Sequence, residues 1–397
     1  MTGALAGLRV LELGSLIAGP FCGQLLGDMG AEVIKIEPPG AGDPMRGWGR
    51  KSASGESLWW PVIARNKKSI TLDMRKAEGQ ALLRRLVPHA DFLIENFRPG
   101  TMERWGCGWQ ELSAINPKLI MIRVSGYGQS GPYAARAGFG AIGEAMGGLR
   151  HIVGDPSTPP SRVGISIGDS LAATHACLGA LAALHRRNES GRGQVVDCAI
   201  YEAVLAMMES LVTEYDKAGV VRERTGAILP KIAPSNVYPT RDGGFVLIAG
   251  NQDTVFGRMA QAMGHAEWVA DPRFKGHEAR GENQAELDEL IAGWTRARGR
   301  EEILGLMETA GVPTGLIYTA PDMLQDEQFR AREAIVEVPH PRLGSLRMQN
   351  VTPKLSETPG SIRTAAPTLG EHNASVYAQY LGLDVAALAA LRDRGIV

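Results

Sequence analysis

The chain is poor in the groups on which several common chemistries depend. It holds only four cysteines in 397 residues, Cys22, Cys107, Cys177 and Cys198. No two have CxxC spacing and none stands beside histidines at metal-ligand spacing. No metal site or disulfide framework is expected, and the thiols read as buried and reduced. The eight histidines are scattered, and neither an HExxH segment nor a GxSxG elbow occurs, so the zinc-protease and serine-hydrolase signatures are missing. No sign of charge is in excess: Lys plus Arg number 42 and Asp plus Glu 43. A global field that would draw the chain to nucleic acid or an anionic membrane is therefore absent, and an anionic ligand must be held by local clusters. No run reads as a bilayer span, and the N-terminus lacks a basic stretch followed by a long apolar one. These features predict a cytoplasmic protein without a signal peptide.

What is present is a repeated strand–helix pattern. Residues 8–13 form a short apolar run, followed by a turn with Gly14 and Gly19, a helical pattern opened by Pro20 and closed by Gly30, and a second apolar run at 31–37. This is a βαβ unit, which predicts a parallel sheet with right-handed crossovers. Further strands are expected at 69–72, 91–95, 119–124 and 195–200, with helices at 76–87, 170–187 and 201–211. The character changes after about residue 215. A smaller domain is placed at 225–325, between 1–224 and a C-terminal part at 326–397 that ends in a capped helix.

The first βαβ unit invites a dinucleotide reading, with Glu37 ending the second strand. Gly14, Gly19 and Gly23 are separated by four and three residues, so the GxGxxG fingerprint that lets a pyrophosphate approach the backbone is absent. Three basic clusters suit phosphates instead: Arg65 to Lys68, Arg75 with Lys76, and Asn96 to Gly100 with Arg104. Each alone reads as a solvated turn. Together, at strand ends, they point to one ligand with several phosphates. Asp169 follows the small, glycine-rich GISIG and precedes an apolar, Ala-rich helix. It is a good N-cap residue. It is also a carboxylate that a helix N-terminus keeps ionised, able to attack an acyl carbonyl.

The ordered set LAGLRVLELGSLIAGPFCGQLLGDMGAEVIKIEPPGAGDP, RNKKSITLDM, DFLIENFRPGTMERWG, SGYGQSGPY, GISIGDS, ESGRGQVVDCAIYEA, AGVPTGLIY and LGEH resembles the family III CoA-transferases, the group of formyl-CoA transferase and the carnitine and bile-acid CoA-transferases. The resemblance implies an α/β fold: a Rossmann-like large domain with a parallel sheet made from both chain ends, a smaller α+β domain, and an interlocked homodimer. Asp169 matches the family's catalytic aspartate. Ile17, Ala18, Leu72, Arg75, Asn96, Arg98 and Arg104 match its coenzyme A contacts. Coenzyme A is then a substrate, with no prosthetic group and no metal. The implied reaction passes from a mixed anhydride to an aspartyl-CoA thioester, with backbone N–H groups near Asp169 or from a glycine loop as oxyanion donors.

Three departures narrow the reading. Gly140 stands where relatives often carry Asp or Glu, and the nearest acid is Glu144. The stretch Ala249-Gly250-Asn251-Gln252 is short where formyl-CoA transferase has a long glycine-rich loop, and Ile17 replaces its glutamine. The first puts the usual second carboxylate in question, and the other two argue against formyl-CoA:oxalate transfer. An α-methylacyl-CoA racemase of the same fold needs a base on each face of the α-carbon, and residues 136–140 carry no histidine. A non-catalytic CoA-binding protein is disfavoured by the intact GISIGDS. Small dicarboxylates with succinyl-CoA as donor are expected, with Arg46, Arg50 and Arg65 as candidates to hold a distal carboxylate.

Overall fold

The computed structural model describes residues 3–397. The chain divides into two compact units. One comprises the chain through Arg150, Val163–Gly219 and Arg330–Val397; the other comprises His151–Arg162 and Val220–Phe329. The boundaries drawn from sequence at 225 and 325 move outward by a few residues, and His151–Arg162 leaves the large unit. The reason is local pairing: Gly226 N–H donates to Gly154 O at 3.0 Å, and His151 lies 3.3 Å from the Glu223 carboxylate.

The large unit is built on six parallel strands: β1 (Arg9–Glu12), β2 (Glu32–Glu37), β3 (Lys67–Thr71), β4 (Phe92–Glu95), β5 (Ile120–Ser125) and β6 (Val195–Ala199), in the order β3-β2-β1-β4-β5-β6. The order reverses between β1 and β4. The loops leaving their C-terminal ends diverge there and open a crevice, the usual ligand position in open α/β sheets. The strands are largely buried on both faces, as in a parallel sheet covered on both sides, with charged residues such as Glu12, Lys35 and Lys67 buried among the apolar ones. Leu11, Ile34, Ile70, Leu93 and Met121 pack on one face with Leu82, Leu83 and Leu86 of the helix Ala77–Leu86 and with Tyr377 and Leu388 from the C-terminal end.

Helix α1 (Ala18–Asp28) crosses from β1 to β2, while α2 (Gly140–Met146), α3 (Ile167–Ser190) and α4 (Ile200–Leu205) surround the later strands. The long helix α3 buries Ala172, Ala173, Ala176, Ala180 and Ala183, a stripe at helical spacing whose small side chains let it lie close to the sheet. Its 24 residues include an 18-residue stretch of mean hydropathy 1.3, which reaches the length and apolarity of a bilayer span, contrary to the expectation from sequence. The cause is its role as a crossover helix, packed against α1, β5 and β6.

Beneath the β1–α1 loop lies a buried charge network. Lys35 Nζ lies 3.2 Å from Glu12 and 2.8 Å from Asp43, and Lys67 Nζ lies 2.8 Å from the other Glu12 oxygen. Burial pulls the Lys35 pKa down, but Glu12, Asp43 and Glu37 outweigh it and the net direction is up. For Lys67 burial wins: Glu12 pulls up, the like charge of Lys35 pushes down, and the pKa falls below the usual lysine range.

In the smaller unit β7 (Ser235–Pro239), β8 (Phe245–Ala249) and β9 (Thr314–Leu316) form an antiparallel sheet in that order. Val246 and Ile248 of β8 point into a core shared with Phe256, Met259, Leu287 and Ile291. Arg280, 1% exposed, donates to the carbonyls of Ala233, Phe274 and Asn251 and to Asp253, and stacks 4.5 Å from Phe256. In the large unit, β10 (Ile335–His340) and β11 (Gly344–Gln349) form an antiparallel hairpin. The last helix, Val385–Asp393, is capped by Asp384, whose carboxylate accepts from Ala387 N–H at 2.8 Å.

Candidate active site

A helix that connects two parallel strands runs antiparallel to them, so the N-termini of α1 and α3 both lie at the C-terminal edge of the sheet. Asp169 is in the first turn of α3, with Ser166 at the N-cap position. It is therefore inside the helix and not the cap residue that its type suggests. It is half-buried, and the helix start favours its negative charge.

The carboxylate of Asp169 sits directly over Gly140, the first residue of α2. A Cβ at position 140 would lie 2.2 Å from Asp169 Oδ2 and 2.6 Å from Cγ. Glycine is thus what makes room for this side-chain position, and the departure noted in the sequence has a steric meaning. Gly168 faces the same contact: a Cβ there would lie 2.9 Å from Glu144 Cγ and 3.0 Å from Gly140 O. Glu144 is fully buried. Its Oε2 accepts from Arg150 Nε at 2.8 Å, and its Oε1 accepts from Gly168 N–H at 3.4 Å. The N–H of Gly168 is therefore engaged, and that of Ser170 donates to Ser166 O at 3.1 Å. Neither fits the role of oxyanion donor that the sequence reading gave to N–H groups near Asp169.

At the crevice between β1 and β4 the β1–α1 loop is held from three sides. Asn96 Oδ1 accepts from Ser15 N–H at 2.8 Å and Asn96 Nδ2 donates to Ser15 O at 2.9 Å. Asp43 accepts from Leu16 N–H at 3.1 Å, and Lys35 Nζ donates to Gly14 O at 2.5 Å. Gly14 and Gly19 touch, since a Cβ on Gly14 would lie 3.0 Å from Gly19 Cα. Beside this loop is a cavity of about 380 Å³, walled by Leu72, Met74, Arg75, Phe97 and Trp105 with Gly14 and Ser15. Phe97 and Trp105 meet edge to face at 5.1 Å. A larger cleft of about 970 Å³ opens at the opposite edge of the sheet, where Arg9, Lys68 and His372 begin their segments, and neither Asp169 nor the crevice loops wall it.

The comparisons with known proteins agree with one another. Residues 5–373 match CoA-transferase family III. The chain belongs to that family. It is 61% identical over 390 residues, 98% of this chain and 97% of the other, to the succinyl-CoA–D-citramalate CoA-transferase of Chloroflexus aurantiacus. It is 40% identical over 396 residues, 99% of this chain and 98% of the other, to the beta subunit of the succinyl-CoA–L-malate CoA-transferase of the same organism. A crystal structure of a CAIB/BAIF family protein from Brucella suis superposes with a TM-score of 0.84 at 34% identity, covering 96% of this chain and all of the other.

The residues of this CoA-transferase that the sequence singled out for coenzyme A separate into groups. Leu72 and Arg75 wall the 380 Å³ cavity; Arg75 is 79% exposed and chelates Asp73. Asn96 has both ends of its amide on Ser15, so it shapes the loop. Ile17 and Ala18 are 7% and 3% exposed, which leaves a ligand only their backbone. Arg98 and Arg104 are exposed on the turn after β4, with Arg104 Nη2 donating to Thr101 Oγ1 at 2.9 Å. Phe97 and Trp105 were missed, although both stand in the segment FRPGTMERWG.

The cluster at 65–68 is not a phosphate site. It lies at the start of β3, the wrong edge of the sheet, and its charges are already matched. Arg65 pairs with Asp28 at 2.6 Å, Lys67 with Glu12, and Lys68 with Glu32 at 2.6 Å. Two of the three candidates for a distal carboxylate fall for the same reason. Arg65 is 2% exposed. Arg46 forks Glu37 with two bonds of 2.7 Å while lying 3.9 Å over the Trp60 ring. Arg50 is exposed. Among the described residues no group of three His, Cys, Asp or Glu is placed to hold a metal ion.

Proposed function

We propose that this CoA-transferase carries CoA from succinyl-CoA to a small branched dicarboxylate of the citramalate class, with Asp169 as the covalent acceptor. The 61% identity along nearly the whole length to a relative with that named specificity carries the reading of the substrate. The seat of Asp169 at the head of α3, over a glycine, supports its role.

In the proposed reaction an Asp169 carboxylate oxygen attacks the thioester carbonyl of succinyl-CoA. The C–S bond breaks, leaving a mixed anhydride and CoA thiolate. The thiolate attacks the aspartyl carbonyl, which releases succinate and forms the aspartyl-CoA thioester. The acceptor carboxylate attacks that thioester, and the thiolate then takes the acceptor's acyl group and restores Asp169. The large unit would act as a Rossmann-like support for the nucleotide, with the adenine in the slot of Leu72, Met74, Phe97 and Trp105 and the phosphates near Arg75, Arg98 and Arg104. Exposed apolar side chains at the head of α2 and on α3, among them Phe139 just before α2 at 66% and Leu178 at 65%, support an interlocked homodimer that covers them. Four free thiols, two of them buried, support a cytoplasmic setting.

The test is a screen of free acids with succinyl-CoA, read by mass spectrometry of the acyl-CoA products. A kcat/KM for D-citramalate at least about tenfold above those for L-malate and glutarate is expected, a gap of the size that one substituent in a pocket produces. Equal rates for all three, or no transfer from succinyl-CoA, would refute the assignment. A second expectation concerns Gly140→Ala. The added methyl must push the Asp169 carboxylate aside, which a flexible side chain can do without unfolding anything. The kcat should fall about 100-fold, the effect of a misplacement near 1 Å, with the thermal midpoint nearly unchanged. Full activity would show that the carboxylate works from another position.

A further inference from the structure

We propose that Glu144 is a positioning residue for the nucleophile and not a second catalytic carboxylate; this rests on the reading of Asp169 as the acylated group. A carboxylate four residues beyond the usual acidic position invites the opposite view, that it has taken over acid–base work. The geometry points away from that. Glu144 is fully buried, and each of its oxygens is engaged, one by Arg150 Nε at 2.8 Å and one by Gly168 N–H at 3.4 Å.

What it holds is the start of α3. Gly168 N–H is one of the first-turn donors that a helix leaves without an internal partner. Glu144 supplies the acceptor from the neighbouring helix α2, one turn after Gly140. The two helices meet at a glycine, since Gly168 lies against Gly140 O and Glu144 Cγ; Gly143 packs α2 onto α4, where a Cβ would come within 2.4 Å of Ile200 Cγ2. Ile200 backs both Gly143 and Gly168, and across the α2–α3 contact itself the Glu144 bridge ties the start of α3 to α2. Arg150, on the helical turn after α2, fixes the rotamer of Glu144 and supplies its counter-charge. Loss of an acidic side chain at 140 and presence of Glu144 are then two parts of one arrangement. The first opens the seat for the Asp169 carboxylate, and the second keeps the seat in register.

The experiment measures the rate at which residue 169 becomes acylated, by peptide mass spectrometry after rapid mixing with succinyl-CoA, together with CoA affinity by calorimetry. Glu144→Leu should slow acylation about 100-fold while CoA affinity stays within threefold. Glu144→Gln keeps a carbonyl oxygen for Gly168 N–H and should stay within tenfold of wild type. Should Glu144→Leu fail to fold, Arg150→Gln replaces it; this change unpins the Glu144 rotamer and should slow acylation about tenfold at unchanged CoA affinity. Equal loss in the Gln and Leu variants would mean that Glu144 exchanges protons with the reactants, and wild-type rates in Leu or in Arg150→Gln would mean that the bridge is idle. Either result overturns the proposal while acylation of Asp169 in the wild-type enzyme stands. A wild-type enzyme that turns over without modification at 169 overturns both.

Discussion

Replacing Asp169 by Ala is expected to reduce CoA transfer by at least about 10⁴-fold while CoA affinity changes less than threefold. The size follows from what is lost. Without the side-chain oxygen there is no covalent intermediate, and the remaining route is direct attack of a free carboxylate on the thioester without nucleophilic catalysis. CoA binding is spared because the cavity proposed for the nucleotide is walled by residues at the ends of β1, β2, β3 and β4 and in the loops after them, none of them from α3. Stability is also spared, since Ser166 and not Asp169 stands at the N-cap of α3. The measurement is transfer between succinyl-CoA and an acid, with CoA binding by calorimetry on the same preparation. Near-normal turnover by Asp169→Ala would remove the aspartyl thioester from the mechanism.

The second large effect is on stability. Lys35→Met is expected to destabilise the sheet-bearing unit by about 3–5 kcal/mol, the cost of leaving a buried ion pair with one partner. Lys35 is 1% exposed and faces Glu12 and Asp43, both buried. Lys67 still answers Glu12 after the substitution, whereas Asp43 loses the cation at 2.8 Å. Adding Asp43→Leu to Lys35→Met should recover a large part of the loss, because the uncompensated charge goes with it. Thermal unfolding of both variants checks this; an unchanged midpoint for Lys35→Met would contradict it. The KM for succinyl-CoA should rise as well, since Gly14 O loses its donor and the loop beside the cavity loses one of its three supports.

The alternating strand and helix pattern was legible because it rests on local periodicity. The parallel strands and the long Ala-rich helix follow from apolar spacing and from glycine and proline at element ends, whereas the reading of Asp169 as nucleophile rests on the family resemblance and stays a proposal. The helix at Gly140–Met146 was not legible. Gly140 opens it, Gly143 lies inside it, where glycine costs up to about 1 kcal/mol, and Gly147 caps its end; nothing local shows why Gly140 and Gly143 are there. The reason is tertiary: Gly143 and Gly147 admit Ile200 and Val204, and Gly140 admits the Asp169 carboxylate. The basic run at 65–68 was misread for a related reason. Its acidic partners, Asp28, Glu12 and Glu32, lie more than thirty positions away along the chain and meet it only when β1, β2 and β3 align. Contacts that depend on side-chain direction, such as the inward turn of Ile17 and Ala18, also needed the folded backbone.

The loop at Gly14–Ile17 is pinned by Asn96, Asp43 and Lys35 before any nucleotide arrives. A guest reaching it therefore finds a finished surface and has no disordered backbone to tame, so little conformational entropy is lost at that wall of the pocket. With the nucleotide placed as proposed, its recognition should be fast and rigid, which leaves adaptation to differently shaped acids to the parts of the enzyme that face the acyl group.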